Sequence, residues 1–265
     1  MTVVPELHLG QRGLDRLPSV DLETLVASAD LQRRFDRKHL VGAHRLPELL
    51  TAFGDSFRVL EVSGRRSTDY TSVYFDTTDL RTYRDHLQQR RRRFKLRTRH
   101  YGDPATTMLE LKCKGARGQT VKHRWPHPGP SPDRLGSEAE DLIARALDGQ
   151  YGFALPEGLA PVVTTHFERV TLADLGAAER VTIDLGLSID ANGRHMSLGA
   201  AHAVVEIKSA QRRGIASQVM ASLGLRPDPL SKYCIGVAAS YEGVRGNPWL
   251  PVLRQFEGSP APNPR

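Results

Sequence analysis

The sequence predicts an α+β fold, an antiparallel sheet closing toward a barrel with helices packed outside it. Three observations carry that reading. Strand-like segments follow one another closely and are joined by turn chemistry, at Gly102-Asp103-Pro104 and at Gly115-Ala116-Arg117-Gly118. Helical spacing is confined to separate stretches outside those meanders. Several strands carry apolar residues on one face and ionisable residues on the other, because successive side chains on a strand point to opposite sides. Closure into a barrel is expected because it removes exposed edges.

In chain order, residues 1–30 carry little pattern beyond one short helical stretch at Asp21–Val26 and read as a weakly structured N-terminal segment. The first strand is expected over 33–41 (RRFDRKHLV). A helix follows over 46–53, with Pro47 tolerated in its first turn. Residues 69–76 (DYTSVYFD) are rich in aromatic and β-branched side chains and predict a strand. Leu80, Tyr83 and Leu87 are spaced for one face of a helix over 77–89. Three strands are expected at 92–101, 106–114 and 119–125, then a Pro-rich loop and a helix over 137–147 capped by Ser137. Strands resume at 161–172, 179–190 and 201–208, and helices at 212–223 and 231–243. Residues 31–245 read as one domain, with no repeat or linker in the sequence. The tail 246–265 holds Pro248, Pro251, Pro260, Pro262 and Pro264 and is expected to be extended or disordered.

With 265 residues the chain can bury a sizeable core. Its net charge of +7 and pI of about 9.6 favour anionic partners, with arginine as a solubility device the plain alternative. Cys113 and Cys234 are too few for a disulfide framework and read as buried free thiols in a reducing cytosol. No apolar run approaches the roughly 20 residues needed to span a bilayer. The N-terminus lacks the order of a signal peptide, so a cytoplasmic protein is expected.

The charges have parity. Lys95, Arg97 and Arg99 share a face, as do Glu110, Lys112 and Lys114, Lys122 and Arg124, Arg180 and Asp184 with Thr182, and Glu206 and Lys208. Leu109, Leu111, Cys113, Val205 and Ile207 occupy the opposite faces. If the charged faces line a barrel, its interior is too cationic to be dry and must hold water or anions. Phosphate oxygens are the natural counterpart of arginine forks and lysine point charges. Carboxylates there repel phosphate. Glu206, Glu110 and Asp184 therefore read either as ligands for a hard divalent cation bridging to phosphate or as internal ion-pair partners. The metal reading is preferred for Glu206, and the two stand level for Glu110 and Asp184.

Other features are less telling. The run Arg90–Arg93 reads as a solvated strand end, with attraction of polyanions to a mouth as the alternative. The histidines lack metal-ligand spacing, and His100, His123 and His166 read as surface or lining residues. Ser231-Lys232-Tyr233 opens a helix whose N-terminus either holds a phosphate or is simply capped. No glycine-rich loop ends in GK[ST], which disfavours an ordinary P-loop NTPase, and no spacing suggests a Ser/His/Asp or Cys/His nucleophile.

Taken together, the ordered motifs resemble the VTC domain, the polyphosphate-polymerase domain of vacuolar transporter chaperone proteins in the triphosphate tunnel (CYTH-like) superfamily. The resemblance runs from about Arg34 to Ser240 through RFDRKHLV, SVYFDT, KLRTRHYG, LELKCKG, VKHRW, PVVTTHFER, RVTID, VVEIK and LSKYCIGVAAS. It implies a tunnel of about eight antiparallel strands whose basic residues hold nucleotide phosphates and growing polyphosphate. By motif position the basic set would be Lys38, Arg97, Arg99, Lys112, Lys122, Arg124, Arg169, Lys208 and Lys232, with Ser231 as a further phosphate contact and Glu206 as metal ligand. In PVVTTHFER, Thr164 stands where the fungal catalytic domain has an arginine and Phe167 where it has a tyrosine, a loss of cation expected to weaken phosphate binding or alter the donor.

The expected function is a polyphosphate polymerase that uses Mn²⁺ or Mg²⁺. It would transfer the terminal phosphoryl group of a nucleoside triphosphate, ATP first, to a phosphate, pyrophosphate or polyphosphate end. Arg97, Arg99, Lys112, Lys122, Arg124, Glu206 and Lys208 are the catalytic candidates. Lys38, Lys95, Lys114, Arg169, Arg180, Ser231 and Lys232 are the phosphate-binding candidates. A triphosphatase or polyphosphatase on the same scaffold, and a non-catalytic polyphosphate or nucleotide sensor, remain as alternatives. Nucleic acid ranks last as a partner, since aromatic residues make up only 6% of the chain. A separate membrane partner and the oligomeric state stay open.

Overall fold

The computed structural model describes residues 11–28, 35–115 and 119–258. Its strands are β1 (Ser19–Val20), β2 (Phe35–Gly42), β3 (Arg58–Leu60), β4 (Ser67–Asp76), β5 (Phe94–Tyr101), β6 (Asp103–Lys114), β7 (Thr120–Pro126), β8 (Ala160–Asp174), β9 (Glu179–Ala191), β10 (Arg194–Ser197) and β11 (His202–Ser209). Its α-helices are α1 (Gln11–Leu14), α2 (Leu22–Ser28), α3 (Leu46–Phe53), α4 (Arg81–Leu87), α5 (Gly136–Tyr151), α6 (Ile215–Ser222), α7 (Lys232–Ser240) and α8 (Leu250–Leu253).

The main sheet runs β2-β11-β9-β8-β4-β5-β6-β7, and every neighbouring pair is antiparallel. This is the expected α+β architecture of about eight strands. Among the described residues the sheet does not close by hydrogen bonds, contrary to the expected barrel: β2 and β7 end the path. The β2 edge is blunted differently, because Asp228 accepts from the Leu40 N–H at 2.7 Å and donates its own N–H to the Lys38 carbonyl at 2.7 Å.

The sheet nevertheless curls. Five strand spacings separate β11 from β6 along the path, about 24 Å if flat. Yet Glu206 on β11 and Lys112 on β6 alter each other's ionisation, and the charge of Lys38 on β2 adds to burial in lowering the pKa of Lys95 on β5. Charges that far apart in salt water would barely sense one another, so the charged faces confront each other across a concave space.

Three apolar clusters hold this shape. On the convex side, Val170, Leu172, Val181, Ile183, Val205 and Ile207 pack against α3 and α6. Phe94, Leu96, Leu109, Leu111 and Cys113 pack against Ile143 and Leu147 of α5. The third cluster lies on the concave face at one end, where Tyr74, Val163, Ile189 and Val204 receive Tyr233, Ile235 and Val237 of α7. Helix α7 therefore fills one end of the concavity. Gly236 permits this seat, since a Cβ there would stand 2.7 Å from Val163 Cγ1 and 2.9 Å from Ile189 Cγ2. Asp76 ties the plug to the wall by accepting from the backbone N–H of Thr82 at 2.8 Å, from Tyr83 at 3.0 Å and from the Tyr233 hydroxyl.

Several expectations need correction. Residues 247–256 are not an extended tail: Pro248 and Pro251 sit in first helical turns, where a missing N–H costs nothing, and Trp249, Val252, Leu253 and Phe256 bury at helical spacing. Residues 259–265 lie outside the described residues. So do 1–10 and 29–34, whereas 11–28 carry α1, β1 and α2. Ser137 lies within the first turn of α5 and caps nothing; Leu135 occupies the cap position. The turn at 116–118 is outside the described residues. Both cysteines are buried and free, and burial pushes the Cys113 thiol up to about 11.

Candidate functional site

Register sets the side chains of the concave face in rows. One row is Lys95, Lys112 and Lys122; the next is Tyr74, Arg97, Glu110 and Arg124; a third pairs Ser72 with Arg99. Across the concavity, Arg169 lies opposite Asp184, and Glu206 lies between Lys38 and Thr182. Lys208 pairs with Arg180 and Asp36, nearer the opposite end from α7. Arg180 also reaches the Leu25 carbonyl of α2 at 3.5 Å.

The three carboxylates have different surroundings. Glu110 is 1% exposed and accepts from Arg97 Nε at 2.7 Å, Arg97 Nη2 at 2.5 Å and Lys122 Nζ at 2.6 Å. Asp184, also 1% exposed, takes a two-pronged contact from Arg169 at 2.6 and 2.8 Å and a further one from Lys232. Both have the geometry of internal ion-pair hubs. Glu206 meets Lys208 only at 3.4 Å and Lys38 at 3.8 Å. Its oxygens are attracted but not enclosed.

Electrostatics follow that geometry. Burial pushes the Glu110 carboxyl up, but Arg97, Arg99 and Lys122 more than reverse it and hold it far below the usual range. Burial likewise opposes ionisation of Asp184, and Arg169 and Lys232 bring it down to about 2. Glu206 is held well below its ordinary value against burial by Lys208, Lys38, Arg169 and Lys112. The Arg97 charge and then burial push Lys112 well below the usual lysine range. Among the described residues Lys112 has no ion-pair or hydrogen-bond partner, so an arriving anion would relieve it.

A pH dependence results. Folding lowers the pKa of Glu110 and Asp184 from their ordinary 4.5 and 3.8, so the unfolded chain binds more protons as acid is added. The stability they confer is complete above those values and is lost as pH falls through them, toward about 2 for Asp184. Urea midpoints measured from neutrality downward are expected to drop steeply below about pH 4.5, and Asp184→Asn is expected to flatten that drop.

The remaining candidates fall into place around these hubs. Arg99 donates to Ser72 Oγ at 2.9 Å. Arg124 donates to the Tyr101 hydroxyl at 3.0 Å. Lys95 donates to Ser231 Oγ at 3.0 Å, and Ser231 caps α7 by accepting from the Cys234 N–H at 3.4 Å. Lys114 ends β6 beyond Lys112. Thr164 pairs with Val73 and Asp190, on the face opposite Arg169, so the residue found there subtracts no charge from the concave side. Phe167 does lie inside, with Lys232 Nζ 4.3 Å and Arg169 Cζ 5.1 Å from its ring centroid.

The sequence reading missed an aromatic floor. Tyr70 stacks on Phe167 at 5.3 Å and lies beneath Arg169 and Arg99 at 4.8 and 5.1 Å. Tyr74 accepts from Arg97 Nη1 at 3.0 Å, and its pKa is lowered because Arg97, Arg99 and Lys232 outweigh burial. The signal was available: Tyr70, Ser72 and Tyr74 alternate along β4, on the parity that faces Arg97 and Arg99.

A divalent cation can be tested against these donors. No three His, Cys, Asp or Glu side chains among the described residues converge as a metal cage. Of Glu110, Asp184 and Glu206, the last presents a carboxylate free of short ion pairs. That suits a hard cation completing its shell with phosphate oxygens and water, as Mg²⁺ and Mn²⁺ do, and not an all-protein site.

The described strands thus form a curled antiparallel sheet whose concave face is lined by arginine and lysine in rows. The chain belongs to the VTC domain family, whose model matches residues 33–241. Comparison with curated proteins gives no match. Among solved structures, a candidate adenylate cyclase from Bacillus halodurans is similar at 14% identity and a TM-score of 0.48, covering 76% of this chain and 94% of its own. A candidate adenylyl cyclase from Hippeastrum, described as having a dominant triphosphatase activity, is similar at 14% identity and a TM-score of 0.49, covering 80% and 98%. No helix among the described residues is long and apolar enough to cross a membrane.

Proposed function

We propose that this VTC-domain protein is a metal-dependent polyphosphate polymerase. It transfers the terminal phosphoryl group of a nucleoside triphosphate, ATP first, to the end of an inorganic polyphosphate chain. The observation that supports this most is the contrast at the centre of the concave face. Among the described residues Lys112 has no ion-pair or hydrogen-bond partner there, and Glu206, whose charge it senses, has oxygens that no short ion pair occupies.

In this reading an oxygen of the acceptor phosphate attacks the terminal phosphorus as the bond to the bridging oxygen breaks, and ADP leaves. Lys112, Lys122, Arg97, Arg99 and Arg124 bind and orient the phosphates and neutralise charge as it shifts, so the acceleration comes from positioning and electrostatics. Lys38 and Lys208 flank Glu206 and hold it ionised. Mn²⁺ or Mg²⁺ on Glu206 would supply neutralisation of phosphoryl oxygens. Lys95, Lys114, Arg169, Arg180, Ser231 and Lys232 serve as phosphate-binding or positioning groups around that centre.

The test is incubation of the purified protein with ATP and Mn²⁺ or Mg²⁺, with and without pyrophosphate, followed by gel electrophoresis and ³¹P NMR. Chains longer than the primer with matching ADP are expected. Orthophosphate as the sole product would make the protein a phosphohydrolase. Polyphosphate binding without turnover would make it a sensor.

A further inference from the structure

A cavity of about 170 Å³ lies beyond the row of Lys95, Lys112 and Lys122, lined by Arg91, Arg92, Lys114, Gly115, Gln150 and Tyr151. None of these is acidic. Asp85, a few residues upstream, is already taken by Arg90 at 3.3 Å and Arg81 at 4.0 Å. Among the described residues neither Arg91 nor Arg92 has an ion-pair or hydrogen-bond partner. Gathering three cations around one cavity without a counter-charge raises the free energy of the empty protein, and an anion would reverse that.

The walls are built. The Arg93 carbonyl accepts from the Lys114 N–H at 3.0 Å, and the Tyr151 hydroxyl stands 2.6 Å from that carbonyl and 3.0 Å from the Lys114 carbonyl. These contacts fix the start of β5 and the end of β6 to the last turn of α5. Lys114 connects the cavity to the concave face. It shares the parity of Lys112 and Glu110, and its charge reaches His86 of α4 together with those of Lys95, Arg93 and Lys38. Burial and these four cations push the His86 imidazole down to about 3, so it stays neutral and adds no competing cation.

We propose that this cavity is an outer subsite for inorganic polyphosphate, in which a chain extending from the lysine row passes Lys114 and is gripped by the Arg91 and Arg92 guanidinium groups. The inference rests on the polyphosphate reading of the tunnel and adds a dependence on chain length. A short phosphate ligand ends within the concave face, whereas a long one reaches the arginines. Guanidinium forks suit successive phosphoryl oxygens, which recur along such a chain without any base or sugar between them.

Binding separates this subsite from the tunnel. Tripolyphosphate and long-chain polyphosphate are titrated calorimetrically in metal-free buffer into the wild type, into Arg91→Ala/Arg92→Ala, and into Arg212→Ala/Arg213→Ala. The last removes the same charge beyond β11, at the opposite end of the sheet. The first double variant is expected to hold the long chain about five- to tenfold more weakly, as two partly exposed ion pairs allow, with tripolyphosphate affinity unchanged. The control variant is expected to match the wild type on both ligands. Unchanged long-chain affinity in Arg91→Ala/Arg92→Ala, or an equal loss on both ligands or on a single-stranded RNA of similar length, overturns the subsite while the tunnel reading stands. A wild-type protein that binds neither phosphate ligand, in metal-free buffer or with Mg²⁺ added, overturns both.

Discussion

Glu206→Gln is expected to reduce phosphoryl transfer by about two to three orders of magnitude in kcat while the protein stays folded. The substitution keeps the shape of the side chain and an oxygen that can accept from Lys38 or Lys208. It removes the negative charge that a hard cation requires. Some stability is lost with the charge, but less than at Glu110, because the partners are not locked around this carboxylate: they stand at 3.4 and 3.8 Å, and Lys38 is 35% exposed and can turn to water. Four cations hold Glu206 ionised against its burial, so at working pH the group is ready for a metal without first losing a proton. Lys112→Ala makes the comparison. It removes one cation from a face that has many, and the rate loss is expected to be much smaller than for Glu206→Gln. Calorimetric titration of Mn²⁺ in the presence of pyrophosphate gives a readout besides turnover, and the variant is expected to lose that binding. Wild-type turnover in Glu206→Gln would remove Glu206 from the metal role.

Most of this arrangement was legible in the chain because a strand has a period of two. Lys95, Arg97 and Arg99 against Phe94 and Leu96, and Glu110 and Lys112 against Leu109 and Leu111, fix by alternation alone which side is wet. What parity cannot see is where it changes. Val181, Ile183, Leu185, Leu187 and Ile189 read as one continuous face. The protein instead sends the first three to the convex core and the last two to the seat of α7. The cause is a bulge in the β8–β9 pairing, with Gly186 at φ +57°, where one extra residue reverses the alternation. Without that reversal α7 would have no apolar seat on the concave side, and Ser231 and Lys232 would not be carried to Lys95 and Asp184.

The carboxylates were a different limit. Glu110 and Glu206 have the same local setting in sequence, each two residues before a lysine on a strand, and only pairing distinguishes them. Register places Glu110 directly between Arg97 and Arg124, whereas Glu206 lies between Lys38 and a threonine. An arginine fork closes on its neighbour; a lysine beside a threonine leaves the acid partly unclaimed. Partner identity across the sheet is a long-range property that no local motif encodes. The aromatic floor of Tyr70 and Phe167 depends in the same way on β4 lying against β8.

That difference predicts the opposite outcome for Glu110→Gln, which is expected to destabilise the fold by about 3–5 kcal/mol. Glu110 is 1% exposed, and its principal partner Arg97 is 9% exposed with both Nε and Nη2 committed to it. Removing the charge leaves a buried guanidinium with one neutral amide oxygen and the Tyr74 hydroxyl to receive it, turns an NH2 group toward a cation, and loosens Lys122 as well. Desolvation of Arg97 has then been incurred with little return. Urea denaturation is expected to show a lower midpoint with an unchanged slope, since the same surface is exposed on unfolding. Replacing both partners, as Arg97→Met/Glu110→Leu, is expected to restore part of the stability, because no full charge is then buried opposite a neutral group. It would not restore activity, since the arginine belongs to the phosphate-facing row. A Glu110→Gln protein as stable as the wild type would mean that Arg97 finds water or another acceptor, and the hub would then be no more than a surface pair. A stable Glu206→Gln and an unstable Glu110→Gln would together assign the two acids, one to a ligand and the other to the wall that holds it.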